Sequence, residues 1–296
     1  MKRIRVLKSR MQFLYALRKM TGLCAIALML SATTGFADIS LVFGTYAADK
    51  PTTTIKKFKP FLDYLSADMS ARLGEPVTIR IKLAANYSAG IADLTQGNVD
   101  FSRFGPASYV SAKKKNPNIE IVAMETKKGE KKFYGIIAVH NDSDITTLAE
   151  LKGRSFAFGD PLSTIGRYLS QAKLLEAGIT GADLQKFSYL GRHDRVGSAV
   201  GNKDFDAGAL KESTFKKLQD KDTPIKVLLK FENVTKPWIT RAGLPTRIFD
   251  AMRISMLTAS DPEILKTISK TGFLKGHDAD YDSIRTAMQE SAIFDQ

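Results

Sequence analysis

Two rhythms alternate along residues 38–240. Short runs such as ISLVFG (39–44), VTIRI (77–81), IEIVAM (119–124), YGIIAV (134–139) and SFAF (155–158) are apolar almost throughout, as strands covered on both faces are. Between them lie stretches with apolar residues three and four apart. Ile55, Phe58, Leu62, Leu65, Met69 and Leu73 predict a helix over 54–73 that stops at Gly74 and Pro76. Residues 88–96, the segment opened by GPASYV, 164–177, 193–200 and 212–218 also predict helices, and TTLAELKG a short one. FSYL, FDAGAL and IKVLLKF predict further strands. After NVTKPW the pattern turns helical, over 245–258, 261–270 and 281–290. Strands alternating with helices predict an α/β fold with mainly parallel sheets flanked by helices. Two such runs, with no low-complexity linker, predict two lobes joined by strands.

The first 37 residues stand apart. A basic stretch without acids is followed by the apolar run LCAIALMLSA (23–32) and by Gly35-Phe36-Ala37, the plan of a secretory signal peptide cleaved after Ala37. The run is shorter than the roughly 20 residues of a spanning helix. The only cysteine, Cys24, lies inside it, so the mature chain has no thiol for a disulfide, a zinc cluster or nucleophilic chemistry. Leu23 before it argues against a lipid anchor. An exported chain without cysteine suits a periplasm. The leader holds seven Lys or Arg and no acid, so the formal charge falls from +13 to +6 without it. That excess is too small to indicate nucleic acid and suits a small anionic partner.

Candidate chemistry sits at strand-to-helix junctions, where parallel α/β folds place ligands. In FGDPLSTIGRYL (158–169), Asp160-Pro161 makes a turn, Ser163 and Thr164 offer hydroxyls, and Gly166 permits close approach. A helix start attracts anions through its unpaired N–H groups. The same residues also suit a plain N-cap. Gly105-Pro106-Ala107-Ser108 repeats the junction, Tyr87 opens a helix, and His193 in GRHD follows a strand. The chain has no G-x-S-x-G elbow and no Walker-type loop. Its three histidines are too scattered for a metal site, so neither metal nor cofactor is expected. A Ser163–His193–Asp206 triad can be drawn, without support from spacing. Lys113 to Lys115 and Lys127 to Lys132 read as solvated faces.

Together AANYSAGIADL, VDFSRFGPASYV, LAELKGRSFAFGDPLSTIGRYL, YLGRHDRVGSAV and DFDAGAL, in this order, resemble the PhnD-like family, the substrate-binding proteins of phosphate, phosphite and phosphonate ABC transporters. The resemblance covers most of residues 39–240. It implies a two-lobed periplasmic-binding-protein fold, a ligand cleft between lobes, hinge closure, an ABC permease partner, a monomer and no catalysis. It implies lobe 1 from 38–140 plus 241–296, lobe 2 from 141–240, and hinge strands near 134–142 and 229–240. By motif it implies that phosphoryl oxygens meet Ser163, Thr164, His193 and Tyr87, with Asp160, Gly166 and Gly105 shaping the helix starts.

The departures matter as much. Where relatives carry a third hydroxyl after the Ser-Thr pair, this chain has Ile165, and Arg192 precedes the histidine. Phe133 and Tyr134 stand near a tyrosine of the relatives. Arg103 replaces an aromatic. Ser213 and Lys236 replace the two acids that hold an amine in aminoalkyl-phosphonate binders. The expected ligand is phosphate-like or a phosphonate without an amine, and Lys236 and Arg103 favour extra negative charge. A sensor domain presenting the same anion to a membrane signalling protein is the alternative reading, and a phosphoester hydrolase a remote one.

Overall fold

The computed structural model describes residues 38–46, 48 and 50–294. The expected signal peptide and Cys24 lie outside them.

Strand β1 (Ile39–Tyr46) is buried at most positions, as its apolar run requires, and pairs in parallel with β2 (Val77–Ala84) on one side and β3 (Phe101–Arg103) on the other. Helix α1 (Pro51–Leu73) starts with proline, whose missing N–H costs nothing there. It buries Phe58, Phe61, Leu62, Leu65 and Met69 and ends at Gly74 with φ 68°. Helix α2 (Tyr87–Thr95) follows β2, α3 (Pro106–Lys115) follows β3, and then comes β4 (Glu120–Thr126). The chain then leaves this sheet. β5 (Lys132–His140), β6 (Ser155–Phe158), α4 (Leu169–Glu176), β7 (Lys186–Tyr189), α5 (His193–Gly201), β8 (Ala207–Lys211), α6 (Glu212–Gln219) and β9 (Ile225–Val234) build the second. β10 (Pro237–Thr240), α7 (Thr246–Leu257), α8 (Pro262–Thr267), β11 (Gly272–Leu274) and α9 (Asp282–Phe294) return to the first.

The sheet orders are β11-β4-β10-β3-β1-β2 and β7-β6-β8-β5-β9. Both sheets are mixed. Four pairings are parallel, but β10 runs antiparallel to β3 and β4, β11 to β4, and β5 to β8 and β9. The antiparallel strands β5 and β10 are those through which the chain enters a sheet from the other one. The changeovers fall at residues 127–131 and 235–236, because all of β5 lies in the second sheet and all of β10 in the first. The expected division at 140 and 241 falls instead at the far ends of β5 and β10. The pattern also missed β10 and β11, which have four and three residues, too few for a period to register.

The first sheet is packed on both faces. Trp238 of β10 sits fully buried among Phe43, Phe61 and Phe273 at ring distances of 5.1, 5.3 and 5.9 Å. Its indole N–H donates to the Glu125 carboxylate at 3.2 Å. Glu125 is fully buried at the end of β4, gripped by Arg103 through Nε and Nη2 at 2.7 and 2.9 Å and by Lys270 at 3.1 Å. Burial alone would raise this carboxyl; Arg103 and Lys270 reverse the effect and hold it well below the usual carboxylate range.

A depressed carboxyl contributes stability above its unfolded value, near 4.5 here, and loses it as pH falls below that value. Glu125→Gln removes the one charge that compensates two buried cations, so urea unfolding is expected to show a loss of about 3–5 kcal/mol near neutral pH. The difference from wild type should shrink below the glutamate range. Glu75→Gln breaks only an exposed pair with Arg247 at 3.0 Å and should leave the urea midpoint almost unchanged. Equal effects of the two substitutions would contradict this assignment.

Candidate functional site

Strand directions decide where the site forms. β1, β3, β4, β6, β7, β8 and β9 point their carboxyl ends toward one crevice, and the antiparallel β5, β10 and β11 present their starts to it. The crevice holds a cavity of about 390 Å³, lined from both sheets. Tyr87, Arg103, Gly105, Tyr134, Ser163, Thr164, His193 and Lys236 all line it, so the residues singled out in the sequence are brought together. Asp160 and Gly166 are not among the lining residues.

The junction after β6 explains its small residues. Ser163 is 2% exposed, and its Oγ accepts the Gly166 N–H at 3.0 Å. That is the N-cap arrangement. Thr164 is 4% exposed and caps a different helix: its Oγ1 accepts the Ala107 N–H of α3, across the crevice, at 2.9 Å. Gly105, before α3, has no side chain for the task. Both hydroxyls thus act as acceptors toward protein. Neither donates to a protein acceptor among the described residues, so each keeps a proton for something in the cavity. A π-helical turn, Thr164–Tyr168, opens the helix, a distortion that recurs at functional sites. Gly166 is required by contact: a Cβ there would come within 2.8 Å of the Gly159 backbone. Ile165 is buried against Gly135 and Phe231 in the core of the second sheet. The position where relatives place a hydroxyl therefore contributes apolar wall.

Other contacts tie the two sides of the crevice. The His193 N–H donates to the Ala48 carbonyl at 3.2 Å, and the Tyr87 N–H donates to the Asp160 carboxylate, whose pKa burial raises. The His193 side chain is 3% exposed. Tyr87 stacks on Tyr46 at 3.8 Å. The Tyr46 hydroxyl accepts the Gly105 N–H at 2.8 Å and donates to Ser108 at 2.7 Å, and burial pushes its pKa up to about 12. The sequence reading ended β1 at Gly44 and so missed Tyr46. Arg192 pairs with Asp194 at 3.0 Å and does not line the cavity.

Charge dominates the rest of the wall. Among the described residues, nine Lys or Arg side chains line the cavity against Glu130 and Glu212. Arg103 commits two of its N–H groups to Glu125, so its main contribution is its field. Lys236 lies between the sheets with Nζ 5.1 Å from the Phe133 ring, and Lys270 approaches the same ring at 5.9 Å. No carboxylate pairs with Lys236 or Lys57 among the described residues. Burial, with Arg103 and Lys211 adding repulsion, pushes Lys236 well below its ordinary value, although Glu125 opposes this. Burial and then Arg103 lower Lys57 to about 7. Lys57 and Lys270 were missed because one lies on a helix whose apolar face alone was read and the other in a loop. Lys127, Lys128 and Lys132, read as a solvated face, line the mouth of the cavity. Lys113 is as expected a helix-end residue, donating to the Pro117 and Ile119 carbonyls at 2.6 and 2.9 Å.

Hydrolytic machinery does not assemble. Asp206 precedes β8 and accepts from the Ser155 N–H and hydroxyl at 2.8 and 2.6 Å, at the opposite end of β6 from Ser163. The triad that can be drawn on the sequence is therefore not assembled. No group of three potential metal ligands exists among the described residues, and no described helix is long and apolar enough to cross a membrane.

Known proteins place this arrangement. "Probable ABC transporter phosphite binding protein PhnD1" of Prochlorococcus marinus is 23% identical over 239 residues, covering 73% of this chain and 80% of that one. "Phosphate-import protein PhnD" of Mycolicibacterium smegmatis is 27% identical over 237 residues, covering 68% and 72%. The P. marinus PhnD1 structure in complex with methylphosphonate superposes with a TM-score of 0.75 at 22% identity, covering 85% of this chain and 97% of that one. A binding-protein component of a Pseudomonas aeruginosa ABC phosphonate transporter gives 0.73 at 20% identity, covering 86% of each. These folds are two-lobed periplasmic binding proteins, as the two sheets here are arranged. A sequence profile described as "ABC transporter, phosphonate, periplasmic substrate-binding protein" matches residues 43–281, and the chain belongs to that family of transport receptors, which bind a small anion for an ABC permease and are not enzymes.

Proposed function

We propose that the protein captures a phosphonate or phosphate-type oxyanion in this crevice and presents it, closed, to its permease. The observation that carries the reading is the pair of buried hydroxyls, Ser163 and Thr164, each with its proton uncommitted at a helix start facing an excess of positive charge. The phosphoryl oxygens accept from these hydroxyls, and from His193 and Tyr87, which line the same wall. The related P. marinus and M. smegmatis proteins, named for phosphite and phosphate and one of them solved with methylphosphonate, support this choice. Charge-assisted hydrogen bonds contribute roughly 1.5–3 kcal/mol each. Three or four of them suffice for micromolar binding, about −8.2 kcal/mol, after desolvation and closure are offset.

Closure itself depends on the anion. Lys57, Arg103 and Lys270 come from the first sheet's side, Lys211 from the second's, and Lys236 from the changeover between them. Without an anion their repulsion opposes closing, while the Thr164–Ala107 and His193–Ala48 hydrogen bonds favour it. A ligand that neutralises the cations shifts the balance to the closed form. A leader at residues 1–37 would carry the chain to the periplasm. The reading needs neither nucleic acid nor a second copy of the chain.

Titration calorimetry with methylphosphonate and inorganic phosphate tests this. Ser163→Ala and Thr164→Val are each expected to weaken binding about 10- to 100-fold, and unchanged affinity in both would overturn the reading. Proton linkage gives a second check. Lys57, lowered to about 7 by burial and by Arg103, is raised by a bound anion, so binding at or slightly above pH 7 takes up protons at this site. Calorimetry in buffers of different ionisation enthalpy should show greater proton uptake for wild type than for Lys57→Met. Equal uptake would remove Lys57 from the site.

A further inference from the structure

We propose that the crevice is built for a ligand with two anionic ends: a phosphoryl group at Ser163 and Thr164, and a carboxylate, a few carbons away, among Lys236, Lys270, Lys57 and Asn233. The inference rests on the phosphoryl reading above and adds the nature of the ligand's far end.

Sheet order separates two sets of residues. In the second sheet, β7-β6-β8-β5-β9, His193 follows β7 and Ser163 and Thr164 follow β6. Lys211 ends β8, Phe133 and Tyr134 begin β5, and Asn233 lies near the end of β9. In the first sheet, Tyr46 ends β1 and Tyr87 follows β2, whereas Lys236 precedes β10 and Lys270 precedes β11. In both sheets Ser163, Thr164, His193, Tyr46 and Tyr87 lie toward one edge and Asn233, Lys236 and Lys270 toward the other, while Lys57, on α1, is near enough to Lys236 and Lys270 to feel their charge. Two to three strand spacings amount to about 10–14 Å. Lysine side chains reach back across part of that width, which leaves a short carbon spacer between the charged ends.

The lysine half is chemically unfinished. Asn233 is 4% exposed and lines the cavity, yet neither its Oδ1 nor its Nδ2 has a hydrogen-bond partner among the described residues. A buried amide left this way is costly. A carboxylate would accept from Nδ2. Among the described residues no carboxylate pairs with Lys236 or Lys57, and Glu125 is already shared by Arg103, Lys270 and Trp238. Burial and then the charge of Arg103 lower the proton affinity of both lysines, and a carboxylate placed between them would reverse that. One phosphoryl group held at Ser163 and Thr164 acts on this half only through its field and makes no hydrogen bond to Asn233 or Lys236. Between the halves, Ile165 and Phe133 supply apolar wall for a spacer. Ser213, at a position where aminoalkyl-phosphonate binders carry an acid, also lines the cavity, so no carboxylate is offered there to an ammonium tail.

Calorimetry at fixed pH and ionic strength with methylphosphonate, 3-phosphonopropionate and 2-aminoethylphosphonate tests the inference. Wild type is expected to bind 3-phosphonopropionate at least about tenfold tighter than methylphosphonate, as one added charge-assisted contact implies. It should bind 2-aminoethylphosphonate more weakly than methylphosphonate. Lys236→Met should bring the ratio of the first two affinities close to one, whereas Ser163→Ala should weaken both and preserve the ratio. Lys57→Met provides the same ratio measurement if Lys236→Met does not fold. Methylphosphonate and 3-phosphonopropionate binding equally well to wild type would overturn the second anionic subsite and leave the phosphoryl site standing. Failure of both to bind would overturn the phosphoryl reading itself.

Discussion

Glu125 is a single buried carboxylate set against more positive charge than it can balance. It neutralises Arg103 and Lys270 and accepts from Trp238, which anchors it to the aromatic core of the first sheet. Among the described residues no carboxylate pairs with Lys57 or Lys236. The network therefore fixes the geometry of the crevice while leaving its charge incomplete. Two consequences follow from one arrangement: the wall is rigid where it meets the core, and the cavity attracts an anion that the protein does not itself contain. In a low-dielectric crevice that unbalanced charge is worth far more than the same charge on an exposed surface.

The second constraint is the way backbone ends are used. Strands from both sheets finish at the crevice, and helices begin there with unpaired N–H groups. Thr164 caps α3 from across the gap instead of capping its own helix, so one hydroxyl joins the two sides while its proton stays available. Ser163 keeps the local cap for itself. The choice between a structural cap and an anion site is thus not exclusive, because a hydroxyl can accept from a helix and donate to a ligand at once. Gly166 and Gly159 are the steric condition, since their backbones touch and any side chain at 166 would push the junction apart.

What could be read from the sequence was local. The β6 junction, the start of α5 and the GP turn announce themselves within a few residues, and the site hydroxyls and His193 were identifiable there. Lys236 was found only through a position-by-position likeness to relatives. Residues that converge from distant segments left no such sign. Lys57 reads as the polar face of α1, Tyr46 as the tail of a strand, and Asn233 as the end of a run broken by a changeover. The changeovers at 127–131 and 235–236 left no sign in the pattern, because the strands that follow them read as equally apolar whichever sheet receives them. Mixed strand directions were hidden for the same reason, since a buried strand looks alike whether its neighbours run with it or against it.

A crystal structure of the protein with methylphosphonate bound tests the central claim most directly. The expected result places phosphoryl oxygens within hydrogen-bond reach of the Ser163 and Thr164 hydroxyls, with the lysine half of the crevice left to solvent or counter-ions. A phosphonate bound elsewhere, with Ser163 and Thr164 donating to protein groups, would contradict it.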